Sequence, residues 1–420
     1  MVLASVASLS IAGTAGAAAV SATRVCTDCV SHGDLARYEY VTLNAGDFPR
    51  IPVLKAVNPR IKVLVYKDMA STRSWDCTGG VDRASIAGGL GYCWARAHHP
   101  DWFTLDASGG RIEWGPWPDH WQMDVGSHAY QDAWAANVTA ELKARGWDGV
   151  TIDNANVDQS AYLGDRRMRE YPTQASYQAA TRSFLARVGP RITAAGLLVL
   201  PNIQAHPVLA GPRVWADWTR FTSGGTREYW MKWGSDYAGQ FSDGGWDDLQ
   251  RVFETVQRAG KIFLTSTTAP NDDVRSMRWG RASFLLTWNG GPSAFAFDSG
   301  KAVDPWSPEW TIDVGRPLGP RQRVGNVWRR TYTDGVVLAN VSEKASQQVD
   351  FDRPYLHPSG DHVTSVTLGP TTGLVLRERM LSRHARLSAA APERHDATQL
   401  AKRLRMKLRS VTRSSRNPGF

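Results

Sequence analysis

Short apolar runs separated by amphipathic stretches recur through the first three quarters of the chain. They are Tyr38–Leu43 (YEYVTL), Ile61–Tyr66 (IKVLVY), Trp121–Val125 (WQMDV), Gly149–Asp153 (GVTID), Leu197–Pro201 (LLVLP), a weaker run around Arg227–Trp230, Lys261–Thr265 (KIFLT) and Ala294–Phe297 (AFAF). β-branched and aromatic runs of four to six residues read as buried strands. Between several of them the apolar positions follow a helical period, as in Tyr130–Arg145, Gln174–Val188 and Trp246–Ala259. Strand and helix in alternation predict βα units and a parallel sheet. Eight such units over this length fit a closed (β/α)8 TIM barrel, assigned to residues 23–312, better than an open doubly wound sheet. No Gly-x-Gly-x-x-Gly follows the first run, so a dinucleotide cofactor lacks its signature and no cofactor is expected.

The texture changes near Asp313. VWRRTYTDGVVLANVS places two strand runs around Asp334-Gly335, a type I′ hairpin signal, and QQVDFD and VTSVTLGPTTGLVLR continue the β alternation. Residues 313–377 are therefore expected to form a small antiparallel β module. At the other end, residues 1–22 are apolar and rich in small side chains, with Ala-x-Ala-like sites, and read as a signal peptide or an apolar anchor. Either reading implies a secreted or extracytoplasmic protein.

Charge sharpens the division. The formal net charge is +9, yet residues 377–420 hold twelve Lys or Arg against three Asp or Glu, which leaves 37 of each sign in the rest. A neutral body gives no electrostatic footprint for nucleic acid. The tail, residues 378–420, is expected to be a solvated basic segment, with weak contact to anionic cell-surface polymers as its alternative. Four cysteines suit an exported chain: Cys77–Cys93 would staple a long loop, and Cys26–Cys29 would form a local link. The other reading, one zinc held by two distant pairs, is disfavoured because Cys-x-x-Cys occurs once, and no metal is expected. The stretch between Tyr66 and Trp121 is far longer than an ordinary βα loop and carries Trp75, Trp94, Trp102, Trp114 and Trp117. Most of these are expected to form the core of the insertion, with one or two lining a cleft.

In a parallel barrel the strands' C-terminal ends converge on one face. The residues this brings together are Tyr66, Lys67 and Asp68, then Asp124, Asp153 and Asn154, Asn202, Glu228 with Trp230, and Asp298. Carboxylates, amides and aromatics dominate, while a nucleophile elbow and a zinc-binding helix are both missing. Paired carboxylates with amides and ring faces are what cleavage of a glycosidic bond requires. Asp153 and Glu228 form the best pair, and the other eight are candidate substrate contacts. Each acid has a structural reading beside this one. Asp153 would cap a helix or pair with an Arg, Glu228 would pair with Arg227 or Lys232, and Asp124 before Gly-Ser-His would cap the next helix. A barrel that binds glycans without cleaving them would use the same residues.

Several of these segments carry a resemblance. VLVYKDM, HPDWFTLDASG, WQMDVGSHAYQDAW, WDGVTIDNANVD and RASFLLTWNGG, with the closing β module, resemble a family of hypothetical glycoside hydrolases of the TIM-barrel superfamily, over roughly residues 35–377. Its relatives include endo-polygalactosaminidase-like and α-galactosidase-like families. The resemblance implies a glycosidase acting on a poly- or oligosaccharide. It puts a carboxylate at the fourth strand's end on Asp153, as nucleophile by analogy with retaining relatives, and a later general acid/base on Glu228. GGTREYW departs from the family's apolar run before that Glu.

Overall fold

The computed structural model describes residues 38–204, 211–233, 240–241, 245–298 and 312–378, with Ser307 and Glu309. The apolar segment 1–22, the Cys26–Cys29 pair and the basic tail beyond Glu378 lie outside the described residues. Seven parallel strands form the central sheet: β1 (Tyr40–Leu43), β2 (Lys62–Asp68), β3 (Gly149–Asn156), β4 (Leu198–Gln204), β5 (Gly224–Glu228), β6 (Ile262–Thr268) and β7 (Ala294–Asp298), adjacent in chain order. Helices His128–Arg145, Gln174–Thr193, Gly211–Trp218 and Trp246–Arg258 fill the crossovers.

The sheet curls almost shut. Tyr40 of β1 and Ala294 of β7 belong to one buried cluster with Leu64, Leu200, Ile262 and Leu264, and the Tyr40 hydroxyl donates to the Pro292 carbonyl at 3.2 Å. Opposite edges of a flat sheet could not share that cluster. It forms a layer of the barrel's interior, and the next inward-facing residues along the strands lie above it.

One expected strand goes elsewhere. His120–Gln122 pairs antiparallel with Ser71–Arg73 inside the insertion, so β2 pairs directly with β3. Asp153 therefore lies on the third strand of the sheet rather than the fourth, at its last residue paired with β2.

Local sequence explains how β3 is delivered. Gly146 closes helix His128–Arg145 in the left-handed conformation at φ 77°, as a C-terminal glycine does. Asp148 then anchors the turn, accepting from the Val63 amide at 2.8 Å and from Lys55 at 2.7 Å. Gly149 is needed for close approach, because a Cβ there would lie 2.3 Å from the Leu198 carbonyl oxygen.

The β module is a six-stranded antiparallel sheet spanning Gln322–Val324 to Thr372–Glu378. Its hairpin forms where expected, with Tyr332 opposite Gly335. The turn is not type I′, because neither Thr333 nor Asp334 has the positive φ that this type requires. The module sits on helix Val274–Thr287. Arg330 donates to the carbonyls of Leu285, Leu286 and Trp288, which with Tyr332 on Leu285 and Gln257 on Thr287 satisfies the helix's last turn. The described residues belong to one compact unit. Among the described residues, no helix is long and apolar enough to cross a membrane.

Candidate active site

Side chains alternate faces along a strand, so Tyr66 and Asp68 of β2, Asp153 of β3, Asn202 of β4 and Glu228 of β5 all point inward above the leucine layer. A cavity of about 580 Å³ opens over them.

Their hydrogen bonds have a fixed direction. Arginine can only donate, so the 3.2 Å contact between Arg73 Nη2 and the Tyr66 hydroxyl makes Tyr66 an acceptor there. Tyr66 gives its own proton to Asp153 Oδ2 at 2.6 Å. Burial, then the charges of Asp153 and Asp68, push the Tyr66 hydroxyl well above the usual tyrosine range, so it remains a donor. The backbone amide of Asn154 donates to Asp153 Oδ1 at 2.8 Å. The Asn202 side-chain nitrogen lies 3.0 Å from Asp153 Oδ1 and 2.9 Å from Glu228 Oε2, so the two carboxylate oxygens are within 5.9 Å of each other. The Asn202 carbonyl oxygen faces the other way and accepts from Gln204 Nε2 at 3.1 Å.

Asp68 lies deeper and is fully buried. It accepts from the amides of Ala70 and Ser71, from the Ser71 hydroxyl and from Asn154 Nδ2. Burial, with the nearby Asp153 charge, pushes its carboxyl up to about 6 despite those donors.

The residue after each acid is left-handed: Asn154 has φ 61° and Tyr229 φ 62°. Such backbone is uncommon for residues with a side chain and concentrates at functional sites. At Asn154 it accompanies a register shift between β3 and β4, which turns the Asn154 side chain back beside Asp68 and Asp153.

Three candidates lie away from the cavity. Lys67, between two inward-facing neighbours, points out of the barrel and is completely buried against Glu141 Oε2 and the Ile86 carbonyl, both at 2.6 Å. Trp230 is buried behind the sheet, donating to the Gly280 carbonyl at 3.0 Å and packing on Phe253 and Phe263. The left-handed Tyr229 breaks the alternation that would have kept Trp230 on the side of Glu228, and Tyr229 itself lines the cavity. Asp124 accepts from the amides of Gly126 and Ser127 and from the Tyr171 hydroxyl, so it shapes the turn before helix His128–Arg145. Asp298 ends β7 beside Thr268, and its side chain is outside the described residues. Of the ion-pair partners considered for Glu228, Lys232 pairs with Asp273, while Arg227 donates to Gln204 and the Ile203 carbonyl and lies within the field of the Glu228 charge.

The insertion supplies the wall that strand-end reasoning missed: Arg73, Trp75, Trp114, Trp117 and His120 line the cavity, with Trp114 stacked on Tyr162, which follows β3 and lines it too. Burial, then the Arg73 charge, lowers the His120 imidazole. A disulfide joins Cys77 and Cys93 across this insertion, as the spacing suggested, so these two sulfurs are not free to bind a metal beside Asp82.

An inward-facing cluster of carboxylates, amides and aromatics at the strand ends of a parallel barrel fits the class of glycoside hydrolases. The chain belongs to hypothetical glycosyl hydrolase family 15, whose model matches residues 55–336, in agreement with the resemblance read from the sequence. Among solved structures it is similar to the glycoside hydrolase domain of PelA from Pseudomonas aeruginosa, at 16% identity over 69% of this chain and 100% of that one, with a TM-score of 0.41. It is also similar to Amy13B of Eubacterium rectale, at 10% identity over 87% and 94% with a TM-score of 0.49. A third is Ega3 of Aspergillus fumigatus in complex with galactosamine, at 10% identity over 70% and 96% with a TM-score of 0.41. No curated protein sequence matches the chain.

Proposed function

We propose that the protein is an exported glycosidase that cleaves a poly- or oligosaccharide with retention, using Asp153 as nucleophile and Glu228 as general acid/base. The observation that carries this reading is the shared donor Asn202. It keeps the facing carboxylate oxygens within 5.9 Å of each other, which favours the short separation of about 5–5.5 Å used for retention over the roughly 6.5–9.5 Å that inversion needs for a water. Three donors hold the Asp153 carboxylate in one orientation, as attack on an anomeric carbon demands.

In the first step an Asp153 oxygen bonds to the anomeric carbon while the Glu228 carboxyl gives its proton to the departing glycosidic oxygen. In the second, Glu228 takes a proton from water, whose oxygen bonds to that carbon and releases Asp153. Tyr66, Asn154 and Asn202 position the acids and contact the sugar. The Cys77–Cys93 disulfide supports export, because such bonds persist in oxidising compartments. The test is release of reducing ends from a panel of α- and β-linked polysaccharides by the wild type, Asp153→Ala and Glu228→Gln. Loss of hydrolysis in both variants with an unchanged melting temperature is expected, and full activity in either removes that residue from the mechanism.

A further inference from the structure

We propose that Trp75 and Trp117 form a glycan-binding subsite on the insertion, which takes a sugar unit of the substrate remote from the bond cleaved. The proposal rests on the glycosidase reading for its place in catalysis, although binding can be measured without turnover.

Trp75 is 43% exposed and Trp117 54% exposed. A large apolar ring left half in water forgoes part of the stabilisation its burial would give. Both rings line the cavity that holds Asp153 and Glu228, so a chain leaving the acid pair on that side runs over them. Sugar rings present apolar C–H faces, and an exposed indole offers a flat apolar face of matching size.

Packing beneath the rings is firm. The edge of Trp75 meets the His120 ring at 4.7 Å, and His120 lies flat on Trp114 at 5.3 Å. Trp114 stacks in turn on Tyr162 at 4.6 Å and donates to Gln122 at 2.8 Å. Trp117 meets His120 from another side at 6.3 Å. Backbone on each side is tied as well. Ser74 donates through its amide to the Asp119 carbonyl and through its hydroxyl to the Asp119 carboxylate. Cys77, two residues beyond Trp75, is held by its disulfide. A platform fixed before the ligand arrives loses little entropy on binding. The Arg73 guanidinium lies 5.5 Å from the rings of both Tyr66 and Trp75, linking the acid half of the cavity to the aromatic half. Trp94 supplies a contrast: it is 41% exposed but lines a separate groove beside helix His128–Arg145.

The experiment is native affinity electrophoresis of the full chain through gels containing soluble starch, mixed-linkage β-glucan, galactomannan, pectin or chitosan. Wild type, Trp94→Ala, Trp75→Ala, Trp117→Ala and the double Trp75→Ala/Trp117→Ala variant are compared, with melting temperatures as a check on folding. At least one polymer is expected to retard wild type and Trp94→Ala equally, with several-fold weaker affinity in each of Trp75→Ala and Trp117→Ala and at least a tenfold loss in the double. The same polymer should shield wild-type tryptophan fluorescence from acrylamide, a readout that needs no substitution. Equal retardation of wild type and double variant overturns the subsite, as does a wild type that no polymer retards or shields. Retardation lost in the double variant without any release of reducing ends by the wild type would leave the subsite standing and sink the glycosidase reading instead.

Discussion

The carboxylates of Asp153 and Glu228 are tied by one shared donor, the side-chain nitrogen of Asn202, at 3.0 and 2.9 Å. Whenever both are ionised, as after Glu228 has given up its proton, two like charges about 5 Å apart repel by roughly 3 kcal/mol at the effective dielectric of such sites. A proton donor placed between them offsets that repulsion and fixes their separation. Asn202→Asp keeps the shape and exchanges the donor for a third carboxylate. Its kcat is expected to fall by at least about 10²-fold, the range seen when a preorganised donor is removed. Retention of half the wild-type kcat in that variant would end the case for Asn202 as the bridge.

The proposed retention predicts the stereochemistry of the product. Within the first minutes of hydrolysis, proton NMR of the product should show the anomer of the substrate, before mutarotation mixes the two forms. Initial release of the opposite anomer would mean that a water, and not Asp153, attacks the anomeric carbon.

Much of this was legible in the chain. GVTIDN announced a buried strand ending in an acid, and the late Glu228 falls beside it because both face inward above one leucine layer. Lys67 could have been set aside by the same rule: strand side chains alternate, so Lys67 cannot share a face with Tyr66 and Asp68. Trp230 was harder, since only the left-handed Tyr229 moves it behind the sheet, and nothing in REYW signals a positive φ. The wall of Arg73, Trp75 and His120 depends on contacts across an insertion of some fifty residues, held by Asp119, Gln122 and a disulfide. The sequence marks the Cys77–Cys93 staple and a cleft role for one or two of the tryptophans, but local pattern carries no record of the Asp119 and Gln122 contacts that select which ones. WQMDV misled for a related reason, because its strand character is real but its partner, Ser71–Arg73, lies in the insertion.

Asp68 predicts a pH dependence. Its carboxyl is raised in the folded protein to about 6, from an ordinary value of 3.8. The folded state therefore holds this proton more tightly than the unfolded chain. The resulting stabilisation is complete below about pH 4 and is lost as pH rises through about 6. Asp68→Asn cannot titrate. Its stability relative to wild type should therefore improve by about 2 kcal/mol between pH 4 and pH 7, whatever constant cost the substitution adds. Urea unfolding of both proteins at the two pH values measures this, and a constant difference would show that Asp68 does not titrate in this window.

Lys67 separates stability from chemistry. Its ammonium is completely buried, and burial lowers its affinity for the proton while Glu141 raises it. Lys67→Met removes the charge and leaves the Glu141 carboxylate with Arg145 alone, at 3.1 Å. Breaking a buried pair costs roughly 3–5 kcal/mol, and the remaining arginine places this variant at the low end. A lower denaturant midpoint with an unchanged slope is expected, together with a kcat within about twofold of wild type, since the ammonium never reaches the cavity. Adding Glu141→Gln removes the stranded charge and should restore part of the stability, which a catalytic role for Lys67 would not explain. A tenfold loss of kcat in Lys67→Met at unchanged stability would instead return Lys67 to the active site.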